Sequence, residues 1–254
     1  MPRLSVCIEM FWRDRPFAER IPLVARQGYQ AFEFWGWDNK DIPEIAAAQR
    51  ASGLAVAAIC HVPGNSLIKR GAEAELVQGM VRTAEVAAAL DCPTVIVTTG
   101  NTIDDERYET SRRRVVRHLR AIGRVAADRG LTLVVEPLNT LVNHHGYWLT
   151  RMAEAADIVQ EVDSPAVKIL MDIYHQQIQE GHIIDNLTAY CAHIGHVHVA
   201  GVPGRHELVG GELDYRSIFR ALDATGYGGY VGLEYTPLLP EAESLAQPLD
   251  LAGS

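Results

Sequence analysis

Four residues carry the sharpest chemical signal in this chain of 254 residues. Glu136 closes the apolar run LTLVVE, Asp172 closes AVKILMD, His198 lies in IGHVHVA and Glu234 lies in YVGLEY. Each run reads as a β-strand, so four successive strands would carry three carboxylates and one imidazole to the same end of a sheet. Three oxygen donors with one nitrogen form a ligand set for one divalent cation of the Mn²⁺, Mg²⁺ or Co²⁺ kind, with positions open to water. A structural zinc site would want thiolates or more imidazoles. With neither a cation nor protons, three converging carboxylates would repel one another and raise one another's pKa. His196 shares the face of His198 through the strand period of two, and His198 is taken as the ligand because it lies nearer the strand end.

Placing these groups requires a repeated scaffold, and the chain supplies one. Eight β-type runs recur: 4–10, 31–35, 54–60, 94–98, 131–136, 166–172, 194–200 and 230–235. Most are nearly continuous in apolar residues, as expected for parallel strands covered on both faces. Helical stripes lie between them. Val77, Met80, Val81, Ala84 and Ala88 share one face of 73–89, and Val115, Leu119, Ile122 and Ala126 share one face of 103–129. Gly28, Gly53 and Gly130 each stop a helix just before an apolar run. No linker or compositional shift divides the chain, and neither GxGxxG nor GxxxxGK[ST] follows a strand. A single TIM barrel domain over 1–254 therefore fits better than a doubly wound sheet.

Composition narrows the partners to small molecules. With 23 Lys+Arg against 32 Asp+Glu the formal charge is -9, which repels polyanions and disfavours nucleic acid. The basic run Arg112-Arg113-Arg114 reads as a solvated helix face. No apolar stretch approaches the roughly 18 residues of a membrane span, and the N-terminus meets charge too early for a signal peptide. Cys7, Cys60, Cys92 and Cys191 are scattered without a CxxC pair, as reduced and mostly buried thiols would be, so a cytoplasmic protein is expected. Assembly into a homo-oligomer is also expected.

The segments VVEPLN (residues 134–139), DIYHQQIQEG, IGHVHVAGVPGRHELVGGELDY and GYGGYVGLEY resemble the hydroxypyruvate isomerase family, one of the xylose-isomerase-like TIM barrels. The resemblance covers nearly the whole chain, beginning at PRLSVCIEMFW and GYQAFEFWGWDN. It implies that Glu136, Asp172, His198 and Glu234 hold one divalent cation and that the two glutamates serve as acid and base. One position departs from the pattern: hydroxypyruvate isomerases often carry Gln where this chain has His198, whereas sugar epimerases carry His.

The chemistry such a site can run is proton transfer between neighbouring carbons of an α-hydroxy carbonyl. It needs a base at one carbon, an acid at the other and charge stabilisation of the enediolate between them. Glu136 and Glu234 would flank the substrate. Arg205, in the turn after the seventh strand, would pair bidentately with a substrate carboxylate or hydrogen-bond sugar hydroxyls. His175 would hydrogen-bond a substrate oxygen or orient a ligand. Glu33 and His61, at the ends of strands two and three and opposite the metal side, are assigned to substrate binding or to groups behind it. Trp12, Trp35, Trp37 and Trp148 would wall the site, while His144 and His145 receive no role. The reading is an aldose-ketose type isomerase converting hydroxypyruvate to tartronate semialdehyde. A ketose 3-epimerase and a cyclic-polyol dehydratase are the alternatives.

Overall fold

A computed structural model describes residues 2–253. Strands β1 (Arg3–Cys7), β2 (Ala31–Phe34), β3 (Ala55–Cys60), β4 (Thr94–Val97), β5 (Thr132–Val135), β6 (Val167–Asp172), β7 (Ile194–Val199) and β8 (Tyr230–Leu233) pair in parallel, each with the next. β8 returns to β1 through Arg3 opposite Tyr230 and Val6 opposite Leu233, which closes the barrel. Six of the strands end one to three residues before the apolar runs do, whereas β3 and β6 end where their runs end, at Cys60 and Asp172.

The helices are α1 (Ile21–Arg26), α2 (Ile42–Ser52), α3 (Glu73–Ala89), α4 (Tyr108–Asp128), α5 (Met152–Val162), α6 (Ile173–Gln179), α7 (Ile183–Tyr190), α8 (Tyr215–Ala224) and α9 (Glu241–Ala252). Local chemistry sets their ends. The Asp41 side chain accepts from the Glu44 N–H at 2.9 Å to open α2, and Gly53, at φ 67°, closes it in the left-handed region. Asp214 accepts from Arg216 and Ser217 to open α8. Two helices rather than one connect β6 to β7, and α4 begins at Tyr108 because the preceding residue, Arg107, is still extended.

Side-chain alternation divides the core in two. Val95, Val97, Leu133 and Val135 face outward into the large cluster between sheet and helices, whereas Ile96 and Val134 face the other way. With Ala58 and Leu170 they fill the β3–β6 side of the barrel interior. The interior facing β1, β2 and β7 is polar, with Ser5, Glu33, His196 and His198 all buried. Among the described residues no helix is long and apolar enough to cross a membrane. The four cysteines are free; Cys7 and Cys92 are buried and Cys60 and Cys191 partly so.

The run Arg112-Arg113-Arg114 is not a uniformly solvated face. Arg112 pairs with Glu161, and Arg114 is buried, donating to Glu106 and to the Ile68 carbonyl. A guanidinium can be buried this way when every donor finds an oxygen.

Candidate active site

Each of the four strand-end groups is fixed by the backbone that carries it. Glu136 lies one residue beyond β5, yet its N–H still donates to the Val97 carbonyl at 3.2 Å. Glu234 lies one beyond β8 and donates to Val199 at the same distance. Asp172 ends β6 and also caps α6, accepting from the His175 N–H at 3.0 Å. His198, within β7, stands in register with Asp172 on one side and Gly232 on the other. One donor atom from each of Glu136, Asp172, His198 and Glu234 lies within 4.8 Å of the other three, and all four side chains are buried.

The cluster is electrostatically uneven. Burial, reinforced by Glu234 and Asp172 and opposed by His198, pushes the Glu136 carboxyl up to about 8. For Glu234, burial acts in the same direction, but Arg205 and His198 overcome it and hold that carboxyl well below the usual range. Burial likewise disfavours a charged His198, yet Glu234 and Glu33 raise its pKa far above the ordinary imidazole value. His198 Nδ1 lies 3.3 Å from Glu234 Oε2 and 3.9 Å from Glu136 Oε1, and both ring nitrogens of His198 are buried without a hydrogen bond. An unpartnered ring nitrogen among three carboxylates is the donor arrangement a divalent cation satisfies, so these residues could hold one.

A polar rim surrounds the cluster. The Arg205 Nε donates to the Glu234 carbonyl at 3.2 Å, and its Nη2 pairs with the Glu234 carboxylate and lies 3.5 Å from Asp172 Oδ2. The guanidinium stacks 5.2 Å over the Tyr174 ring. His175 is buried; Asn139 Nδ2 donates to its Nδ1 at 2.6 Å, which leaves the proton on Nε2, 3.7 Å from Asp172 Oδ2. Burial depresses its pKa to about 4 and keeps the ring neutral, even though Asp172 pulls the other way. Trp35 Nε1 donates to Glu234 Oε1 at 2.6 Å.

Two expectations need correction. Glu33 does not lie opposite the ligand cluster or face the mouth: it is 2% exposed inside the barrel, with Oε1 2.6 Å from His198 Nε2 and Oε2 3.0 Å from His196 Nε2. His61 is occupied elsewhere, its ring nitrogens 3.0 and 3.1 Å from the carbonyls of Pro63 and Leu76, so it holds the loop after β3 instead of meeting a substrate. Of the tryptophans, Trp35 reaches the cluster, while Trp37 bonds Thr83 and Trp148 stacks on Tyr108.

Several contributors were not singled out by sequence reasoning. His144 stands with its ring centroid 5.1 Å from that of His175. Asn139 sets the His175 tautomer, and Asn143 accepts from Tyr174 at 2.8 Å. The available signal was the run NTLVNHH after β5, in which polar residues recur with no period. A cavity of about 350 Å³ opens at the opposite end of the barrel beside Arg3, Tyr29, Tyr230 and Leu249, but none of those residues belongs to a metal-ligand cluster.

The family model described as xylose isomerase-like TIM barrel matches residues 21–251. A 2-oxo-tetronate isomerase of Cupriavidus necator is 32% identical over 244 residues, covering 93% of this chain and 94% of its own. A Danio rerio protein provisionally named hydroxypyruvate isomerase is 32% identical over 252 residues, covering 93% and 91%. Among solved structures, one from Brucella melitensis described as an AP endonuclease of family 2 superposes with a TM-score of 0.94 at 30% identity, covering 98% of this chain and 99% of its own. A D-psicose 3-epimerase of Clostridium cellulolyticum, at 20% identity and a TM-score of 0.77 over 100% of this chain and 98% of its own, shares the fold.

Proposed function

The chain belongs to the xylose isomerase-like TIM barrel family, and from that membership and the barrel mouth we propose a metal-assisted isomerase of small hydroxy-oxo acids. Interconversion of hydroxypyruvate and tartronate semialdehyde is the model reaction. Fold alone would not carry this reading, since the same barrel hosts many reactions. The observation that carries it is the convergence of Glu136, Asp172, His198 and Glu234 around the unpartnered His198 Nδ1, with a guanidinium beside them.

Glu136, Asp172, His198 and Glu234 would hold one divalent cation, which supplies positive charge to offset the negative charge that develops on two adjacent substrate oxygens. The protein's own groups do the rest. Glu136 and Glu234 stand just beyond β5 and β8, on either side of the strands bearing Asp172 and His198, so one carboxylate can remove a proton from the hydroxyl-bearing carbon while the other returns one to its neighbour. Their unequal environments suit that division, one carboxyl pushed towards the protonated form and the other held ionised. Arg205 supplies a fork for the substrate carboxylate. His175, neutral and with Nε2–H facing the cluster, can donate to a substrate oxygen.

A phosphodiester substrate suits the chain poorly. Its net charge is -9, and the cluster presents three carboxylates to an incoming polyanion. A ketose 3-epimerase is the second reading, favoured by His198 in the fourth ligand position. A panel of hydroxypyruvate, 2-oxo-tetronates and free ketoses, assayed after chelation and again with Mn²⁺, separates them. Oxo acids should turn over only with the ion restored, and Arg205→Lys should weaken use of the best acid by about 1–3 kcal/mol because a point charge cannot replace the fork. Equal use of uncharged ketoses, unaffected by Arg205→Lys, points to the epimerase.

A further inference from the structure

Behind the ligand cluster lies a second buried constellation that proton transfer does not use. Glu33, on β2, is 2% exposed and surrounded by three polar groups from other strands. Its Oε2 accepts from the Ser5 hydroxyl on β1 at 2.6 Å and sits 3.0 Å from His196 Nε2 on β7. Its Oε1 lies 2.6 Å from His198 Nε2, a close contact of two buried atoms neither of which makes a hydrogen bond. The fourth wall is Gly232 on β8. A Cβ there would stand 2.2 Å from Glu33 Oε1 and 2.7 Å from His198 Cδ2, so the absence of a side chain at residue 232 is what lets the carboxylate and the imidazole meet.

We propose that Glu33 is a positioning residue: anchored by Ser5 and His196, it keeps a carboxylate oxygen against His198 Nε2, takes the Nε2 proton as its hydrogen-bond donor when the cation is bound, and so leaves Nδ1 facing Glu136, Asp172 and Glu234 to receive the cation. Imidazole has two nitrogens, and the one left free for a metal is decided by the hydrogen bond made by the other. A carboxylate at Nε2 fixes both the tautomer and the ring plane, and it makes Nδ1 a stronger donor. Ser5 and His196 fill Oε2 and so leave Oε1 as the oxygen that faces His198. Glu33 thus acts on the reaction through His198 and never meets the substrate.

This inference rests on the cation reading above, and its test keeps the two apart. Mn²⁺ affinity is measured by calorimetry on the full chain for wild type, Glu33→Gln and Ser5→Ala, beside thermal unfolding of each after chelation. The side-chain ¹⁵N spectrum of the Zn²⁺-loaded protein then reads the His198 tautomer. Glu33→Gln should weaken Mn²⁺ binding by about 10- to 100-fold, with a smaller loss in Ser5→Ala, and wild-type His198 should carry its proton on Nε2 with slow solvent exchange that quickens in Glu33→Gln. If Glu33→Gln fails to fold, Ser5→Ala, which leaves the carboxylate in place, carries the affinity measurement. Unchanged affinity in the folded variants, or a Zn²⁺-bound His198 protonated at Nδ1, overturns the proposal while leaving the cation site standing. Two ions per wild-type chain, falling to one in Glu33→Gln, overturns it by making Glu33 a ligand. A wild type that binds neither Mn²⁺ nor Zn²⁺ removes the cation reading itself.

Discussion

In the β4–α4 connection, Glu106 accepts from both terminal nitrogens of Arg114 at 2.7 Å each, from Ser111 and from Arg70 at 3.0 Å, while Arg114 also donates to the Ile68 carbonyl. At the barrel mouth, Glu136, Asp172 and Glu234 share one guanidinium and one imidazole, and His198 Nδ1 is left without a hydrogen bond. The first cluster matches donors to acceptors and needs nothing further. In the second, carboxylates outnumber their cationic partners, and its members push one another's pKa values apart. A buried charge network that is complete within the chain is a structural device, whereas one that remains incomplete is where an external charge belongs.

The largest effect that would break this contrast is on turnover. Glu136→Gln and Glu234→Gln should each lower kcat by about 10² or more with little change in unfolding temperature, because amides keep the shape and lose the base. Glu106→Gln should leave kcat unchanged on the same substrate. If the mouth variants retained near-normal turnover, Glu136 and Glu234 would not be the proton-transfer pair.

A smaller effect sharpens the same contrast through stability. Mn²⁺ at 100 times its Kd should stabilise the folded wild type by about 2.7 kcal/mol, through preferential binding to the folded chain. Asp172→Asn keeps an oxygen for the His175 N–H that Asp172 now receives, so α6 should stay capped. The variant nevertheless loses a charged ligand, and its Mn²⁺ stabilisation should shrink towards zero in a thermal titration. Stabilisation equal to that of the wild type would place the ion elsewhere.

How far the sequence reveals these clusters follows from what each depends on. The barrel was legible because its eight strands are local apolar runs with helical stripes between them, and the gathering of Glu136, Asp172, His198 and Glu234 because a polar residue stands at or near the end of each of four successive runs. Long-range pairing was not legible. Glu33 meets His196 and His198 from more than 160 residues away, and nothing in the run AFEFW announces its partner. Arg114 looked like one of three solvated arginines because the burial of a guanidinium depends on Glu106, Ser111 and Ile68 converging in space. His61 looked like a strand-end group for substrate binding, but its ring turns to backbone carbonyls, a choice made by the loop after β3 and not by the residue type.

The smallest expected effect belongs to the complete cluster and depends on pH. Hydrogen bonds from Arg114, then Ser111 and Arg70, hold the Glu106 carboxyl at about 2 against an ordinary value of 4.5, although burial opposes them. Folding therefore binds this carboxylate in its ionised form. The stability it contributes is complete above 4.5 and is lost as the pH falls from there through about 2. Glu106→Gln should lower the unfolding temperature at pH 7, and the gap to wild type should narrow through that acid window. Arg114→Lys, which loses the two-pronged contact but keeps the charge, should fall between the two proteins at neutral pH. Thermal scans of the three proteins at pH 7, 5 and 3 decide the matter. A gap between wild type and Glu106→Gln that stays constant across them would mean that the Glu106 network contributes shape and packing and no charge-dependent stability.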